Sequence, residues 1–221
     1  MRNVIILGTG GCAAQLTYYI EDNNSRVKED DKIRILGYIE DEKSIDEYYN
    51  KYNYKSPVLC DIDGYEPRPN EEVLIAIMNI DLRIKMIDKL LKKKASIGSF
   101  FHGSVLISND MDIGEGNIIF PYSMIFENAI IGKYNLLTSH SFISHDCVIG
   151  DNNFFSHAGI AGNVRIGNNN YFGIRSTVIP SIIMGDNNII QAGMVVDKNL
   201  KDSTTYFYRF KEKVLAIPAK S

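Results

Sequence analysis

The sequence predicts a small parallel α/β domain followed by a three-sided parallel β-helix, and three observations predict it. Every sixth residue of one long stretch is aliphatic: Ile107, Ile113, Ile119, Ile125, Ile131, Leu137, Ile143 and Ile149. Phe155 continues the column, one residue is then missing, and the count resumes at Ile166, Phe172, Val178, Met184, Ile190 and Val196. A longer beat lies over this one. Ile113-Gly114, Ile131-Gly132, Ile149-Gly150, Ile166-Gly167 and Met184-Gly185 each open a unit that closes on Asn117, Asn135, Asn153, Asn170 or Asn188. Three hexapeptides thus make one turn of a coil, with short strands as flat sides. Gly and Asn at the corners are expected to accept positive φ. The third observation is the start of the chain, which reads strand, glycine turn, helix.

Taken in order, Asn3–Leu7 is a buried-strand run that leads into Gly8-Thr9-Gly10-Gly11-Cys12-Ala13, after which Ala14–Glu21 can form a helix. The turn satisfies G-x-G-x-x-G/A, in which glycines let the backbone approach a phosphate and helix N-terminal amides favour its charge. A tight βα turn without a ligand is the alternative. A second strand, Ile33–Ile39, ends in Glu40-Asp41-Glu42, placing acids at the carboxyl edge of a parallel sheet, where ligands bind. A simple solvated loop fits those acids equally well. Val58–Ile62 adds a short strand and Glu72–Met78 a stronger one. A helix over Leu82–Lys94 follows, with Asp81 as its expected cap, Leu82, Met86, Ile87, Leu90 and Leu91 as its apolar face, and Lys92–Lys94 in its last turn. Residues 1–96 therefore form the α/β domain, which is too short for two mononucleotide-binding halves. The coil occupies 97–200. An extended tail, 201–221, carries the aromatic cluster Tyr206, Phe207, Tyr208 and Phe210 and is expected to pack on the coil or on a neighbouring subunit.

Composition narrows the function. The 221 residues are 45% hydrophobic with a formal net charge of -3, which supports a core and argues against a nucleic-acid partner. Cys12, Cys60 and Cys147 are too few for a disulfide framework and fit a reducing cytoplasm; none has metal-ligand spacing with another Cys. The run Val4–Leu7 is too short for a signal peptide or a membrane span. A cytoplasmic protein is the expectation.

The coil explains its aliphatics, glycines and asparagines, so the informative residues are those it does not require. Ser139–Asp146 holds His140 and His145, and His157 follows; His145 and His157 each lie two places after a core position, on successive sides of the coil. A histidine with a neighbouring carboxylate suits a general base, because the acid can orient the ring and stabilise the imidazolium. Adjacent strand residues point to opposite faces, so contact between His145 and Asp146 requires a bend. The alternative is polar histidines merely satisfied on the outer surface.

The pattern Ile143-Ser144-His145-Asp146-Cys147-Val148-Ile149-Gly150, then Ala161-Gly162-Asn163-Val164-Arg165-Ile166-Gly167, then Phe172-Gly173-Ile174, resembles the sugar acyltransferase family that includes NeuD and PglD. The likeness spans nearly the whole chain, down to Ile217-Pro218-Ala219-Lys220 near the end. It implies a Rossmann-like nucleotide-binding domain, a left-handed parallel β-helix of hexapeptide repeats, and a homotrimer with active sites between subunits. It also implies transfer of acetyl from acetyl-CoA to an amino or hydroxyl group of a nucleotide-activated sugar or sialic acid in bacterial surface-glycan biosynthesis, with no metal. Carried over residue by residue, it makes His145 the general base and Asp146 its acidic partner. The resemblance places His157, Gly162, Ile174 and Ala192 along the coenzyme A groove, and Gly8, Thr9, Gly10, Gly11 and Asp41 at the nucleotide-sugar site. The chain departs from the family at Cys12 and Glu42, where a His and a Lys are usual.

These readings imply direct attack on the thioester, with Cys147 as packing and not as nucleophile. Two other functions compete. One is a zinc hydratase resembling the γ-class carbonic anhydrases, with His140, His145 and His157 as ligands. The other is a non-catalytic nucleotide-sugar-binding protein. An NAD-linked enzyme is disfavoured by the short first domain. The missing residue between Phe155 and Ile166 is expected to reshape the acyl-donor groove.

Overall fold

The computed structural model describes residues 1–41, 44, 49–109 and 111–208. Expectations that rest on Glu42, Phe210 and Ile217–Lys220 lie outside the described residues.

Strands β1 (Arg2–Leu7), β2 (Ile33–Ile39), β3 (Val58–Cys60) and β4 (Glu71–Ile75) form a four-stranded parallel sheet in the order β3-β2-β1-β4. β1 is central and covered on both faces, which is why its sequence reads as a continuous apolar run instead of an alternation. Helix α1 (Gly11–Asn24) follows β1 and buries Ala13, Leu16 and Ile20. Helix α2 (Ile80–Lys92) follows β4.

Two expectations about α2 are corrected. Its cap is Asn79, whose side-chain oxygen accepts from the Leu82 amide at 2.9 Å; Asp81 falls in the first turn, where the helix dipole still favours it. Its buried face is Arg83, Ile87 and Leu90, while Leu82 and Leu91 are exposed. Arg83 is completely buried because both halves of the chain supply it with oxygens. Its guanidinium donates to Asn152 Oδ1 at 2.9 Å, Ile77 O at 2.9 Å and Ile75 O at 3.3 Å, and to Tyr134 O.

From Phe100 onward the chain winds into three parallel sheets. Face one has seven strands, from Phe100–Phe101 to Thr205–Tyr206; face two has six, from Leu106–Ile107 to Val195–Val196; face three has five, from Asp112–Ile113 to Ile183–Met184. Many parallel strands in stacked sheets fit the left-handed β-helix expected. The aliphatic column lines the interior, with Phe155 and Phe172 stacked at 4.7 Å between centroids. Outward residues of face one, Ile118, Leu136 and Phe154, pack with Leu16 and Ile20 of α1, so the α/β sheet and the coil share one core. Asn23 Oδ1 at the end of α1 accepts from the Gly103 amide at 2.8 Å, fastening the helix to the first turn of the coil.

The corners differ from expectation in detail. In the repeating unit, positive φ belongs to the residue before the Asn: Tyr134, Asn152, Asn169 and Asn187, with Gly116 in the equivalent place. The repeat glycines serve close approach instead. A Cβ on Gly150 would lie 2.7 Å from Gly167 O in the next turn, and one on Gly114 would lie 2.8 Å from Gly132 O. The repeat asparagines form a buried ladder. Asn135, Asn153, Asn170 and Asn188 each donate a backbone N–H to the side-chain oxygen of the Asn one turn earlier, at 2.8 Å in every step.

The missing residue does not distort the coil. Ile160 completes the column, paired with Ile143 on one side and Val178 on the other. One corner, Ser156-His157-Ala158, is three residues long where the corresponding corner of the previous turn, Thr138–Ser141, has four. The coil also runs past Val196, where the alternation fails: Leu200 bridges Met184, and Thr205–Tyr206 pairs with Ile189–Ile190.

Candidate active site

His145 and Asp146 stand on the edge between faces two and three. Ile143 ends its strand pointing inward, and Asp146 takes φ +59°, which supplies the bend that lets consecutive side chains meet. His145 Nδ1 and Asp146 Oδ2 are 2.7 Å apart. Asp146 Oδ1 accepts from Asn128 Nδ2 at 3.1 Å. The hydrogen bond from His145, then that from Asn128, holds the Asp146 carboxyl below its usual range. An ionised carboxylate only accepts, so Nδ1 carries a proton, and it is the neutral ring in which Nε2 presents its lone pair. The imidazole lies across Gly162 in the next turn, where a Cβ would come within 2.8 Å of Cε1 and Nε2. Cys147, beside them, is buried; its thiol donates to Ala161 O at 3.1 Å, and burial raises its pKa. Packing, as expected, describes it.

His157 occupies a different edge, between faces one and two. Tyr122, His140, His157 and Arg175 follow one another down that edge, each with positive φ. Tyr122 and His140 stack with centroids 5.3 Å apart, and the His140 and His157 rings are 6.5 Å apart. Thr138 Oγ1 accepts the His157 backbone N–H at 2.8 Å and lies 2.9 Å from its Nδ1. Desolvation, then the neighbouring His140 and Arg175, lowers the His157 pKa below the ordinary 6.5. Ile174 and Ala192 are exposed on this same edge. Within one chain the expected acyl-donor residues are therefore divided: Gly162 lies with His145 on one edge, and His157, Ile174 and Ala192 follow the next. His145 likewise stands apart from His140 and His157. Among the described residues no group of three or more His, Cys, Asp or Glu is placed to hold a metal ion.

The glycine turn borders a cavity of about 690 Å³ at the carboxyl edge of the sheet, lined in part by Gly8, Gly10, Gly11, Cys12, Asp41 and Ile77. Gly8 has φ +106°, and α1 begins at Gly11 without a side-chain cap or an acidic residue in its first turn, an arrangement that favours an anion. Thr9 turns away from the cavity. Its amide and hydroxyl both donate to Glu40 Oε2 at 2.8 Å, while Glu40 Oε1 accepts from the Asp41 amide at 2.9 Å. Glu40 thus braces the turn, and Asp41 is one of three exposed acids at the cavity, with Asp61 and Asp63. Cys12 is buried and its thiol is pushed up to about 12 by desolvation.

Asn128 escaped the sequence reading, and Glu40, read there as one of three acids at the sheet edge, proves to brace the turn. Asn128 lies one full repeat before Asp146, so the same beat that exposed the core could have marked it.

No family model and no curated protein matches the chain. Solved structures do. The acetyltransferase domain of PglB from Neisseria gonorrhoeae FA1090 superposes with a TM-score of 0.77 at 15% identity, covering 93% of this chain and 96% of that one. PerB from Caulobacter crescentus, in complex with CoA and GDP-perosamine, gives 0.73 at 22% identity and covers 93% of each chain. WeeI from Acinetobacter baumannii AYE gives 0.76 at 24% identity, over 93% of this chain and 96% of that one. The chain has the fold of these proteins along nearly its whole length, and the resemblance read from the hexapeptide and His145 motifs leads to the same group of structures.

Proposed function

We propose that this protein is an acetyl-CoA-dependent acetyltransferase acting on an amino or hydroxyl group of a nucleotide-activated sugar or sialic acid in bacterial surface-glycan biosynthesis. One observation carries the reading: an oriented histidine, His145 on Asp146, stands exposed above a glycine on a coil whose fold matches that of acetyltransferases. In this account residues 1–96 are a Rossmann-like nucleotide-sugar-binding domain, 97–200 the acyltransferase β-helix and 201–221 a tail. Nucleotide sugar is held by Gly8, Gly10, Gly11 and Asp41, with Thr9 supporting the turn through Glu40. His157, Gly162, Ile174 and Ala192 border acetyl-CoA.

His145 Nε2 removes the proton from the sugar amine or hydroxyl as that atom attacks the thioester carbonyl. Asp146 stabilises the imidazolium, and a backbone N–H of the groove, with His157, faces the developing oxyanion. The carbon–sulfur bond then breaks, and the departing coenzyme A thiolate takes the proton from the imidazolium.

The groove residues lie on two edges of one coil, so a groove lined by all of them needs edges from two copies. A homotrimer meets that need. Face two supports it, because it turns outward Leu106, 66% exposed, and Val195, 49% exposed, in line with Met124 and Phe142. No described helix is long and apolar enough to cross a membrane, and the reading places the enzyme in the cytoplasm, with no metal.

Thiol release from acetyl-CoA, screened against amino-sugar nucleotides and sialic acids with product mass measured, tests the proposal. Release coupled to an acceptor heavier by one acetyl group supports it. Sugar-nucleotide binding without release would make the protein a binding module. Stoichiometric zinc with CO2 hydration would make it a hydratase.

A further inference from the structure

Three neighbouring strands deliver their carboxyl ends to the glycine-turn cavity in order: β1 ends at the turn itself, β2 runs into Asp41 and β3 into Asp61. Neighbouring strands lie about 4.8 Å apart, so Asp61 stands roughly 10 Å across the sheet from a phosphate at the turn, the reach of a nucleoside monophosphate. Asp41, on the strand between, falls opposite the ribose. Much of the remaining wall is apolar. Ile62 follows Asp61, while Met78 and Leu82, 45% and 43% exposed, and Met86 belong to α2 and the loop before it. Lys89, on the same face of α2 as Met86, donates to Asp63 Oδ1 at 2.6 Å and so ties this face to the loop that carries Ile62. Uncovered Met and Leu side chains inside a cavity suit a flat, weakly polar ring.

The polar groups at that end are unequal. Asp63 is neutralised by Lys89. Asp61 accepts from the Gly64 amide through Oδ1 at 2.6 Å, which orients its carboxylate, and among the described residues it forms no ion pair. A carboxylate accepts hydrogen bonds and donates none, so it favours a ring edge made of donors only. Guanine presents such an edge, N1–H beside the 2-amino group, and one carboxylate can receive both. Uracil presents a single N–H between two carbonyls. Cytosine and adenine set their amino group beside an unprotonated ring nitrogen, so each of the other bases turns an acceptor toward the acid.

We infer that the cavity selects a guanine nucleotide, with the base against Ile62 and Met86 and its N1–H and 2-amino group donating to Asp61. This rests on the nucleotide-sugar reading above and adds to it which nucleotide carries the sugar. Asp61 is then the residue that sets base specificity, while the glycine turn holds the phosphates of any nucleotide alike.

Titration calorimetry on the full chain with GDP, inosine diphosphate, UDP, CDP and ADP tests the assignment. GDP should bind about tenfold or more tighter than UDP, CDP and ADP. Inosine diphosphate lacks only the 2-amino group and should bind about fivefold more weakly than GDP, the scale of one lost hydrogen bond to a charged group. Asp61→Asn keeps an acceptor for the Gly64 amide but sets an N–H2 against the donor edge. It should weaken GDP about tenfold, erase the preference over inosine diphosphate, and leave UDP within about twofold. The inference is overturned if another base binds as tightly as guanine, if GDP and inosine diphosphate bind alike in the unaltered chain, or if Asp61→Asn weakens GDP and UDP equally or changes neither. Failure of all five to bind is a different result: it removes the nucleotide reading itself, and the base assignment with it.

Discussion

The His145 imidazole occupies the space where Gly162 would carry a side chain, with Cε1 and Nε2 both 2.8 Å from the position of an added Cβ. The base and the glycine come from successive turns of the coil, and the Asn163 amide donates to His145 O at 3.0 Å between them. Gly162→Ala therefore forces the ring off Asp146. It should lower turnover about tenfold or more while leaving thermal stability within about 1 kcal/mol of the parent, since the His145 side chain that must yield is exposed. Activity with acetyl-CoA and a melting curve on the same preparation check this; unchanged turnover would mean the ring's present position does not matter.

Asn128 acts on His145 only through Asp146. Asn128→Ala should lower kcat severalfold with the acetyl-CoA KM unchanged, and shift the pH profile of kcat toward that of Asp146→Asn. A change in KM alone would assign Asn128 to binding. Asn128→Ser, which keeps a short donor, should recover part of the loss.

Arg83 holds carbonyl oxygens from both halves of the chain. Arg83→Ala strips the partners from Ile75 O, Ile77 O and Tyr134 O at a buried seam, and should cost about 2–4 kcal/mol in a urea unfolding curve. Loss below about 0.5 kcal/mol, the scale of an ordinary surface substitution, would show that the seam does not need the guanidinium.

The His157 pKa is lowered, chiefly by desolvation. Between that lowered value and the ordinary 6.5, the unfolded chain binds more protons than the folded one, so stability rises with pH there. The His157 contribution is thus present above 6.5 and lost as pH falls to its depressed value. Proton titration followed by NMR should place His157 below 6.5, and Thr138→Val should alter its midpoint. A His157 midpoint above 6.5 would contradict the packing described.

Much of this was legible in the sequence, for an identifiable reason. A period of six imposes itself on every turn, so the inward column from Ile107 to Val196 could be read without coordinates, as could the apolar run of β1. What stayed hidden depends on groups brought together from far apart. Arg83 reads as a surface cation until Tyr134 and Asn152 arrive to receive it. The repeat glycines look like turn formers, yet they are small because the next turn passes within contact distance. For the site, subtraction of the architectural residues left His145, Asp146 and His157, but grouped histidines that belong to two edges. The eighteen-residue beat held the answer: His140 and His157 follow Leu137 and Phe155, which are one full turn apart on face one, whereas His145 follows Ile143 on face two. Partners one repeat away, such as Asn128, were likewise within reach of the same beat.

The central claim is that His145 is the base for acetyl transfer, and His145→Ala tests it most directly. Turnover would be measured by thiol release and acceptor mass, on protein whose melting curve and acetyl-CoA affinity match the parent. The account predicts a fall in kcat of about a hundredfold or more, the usual scale of a lost general base. Turnover within a few-fold of the parent would contradict it.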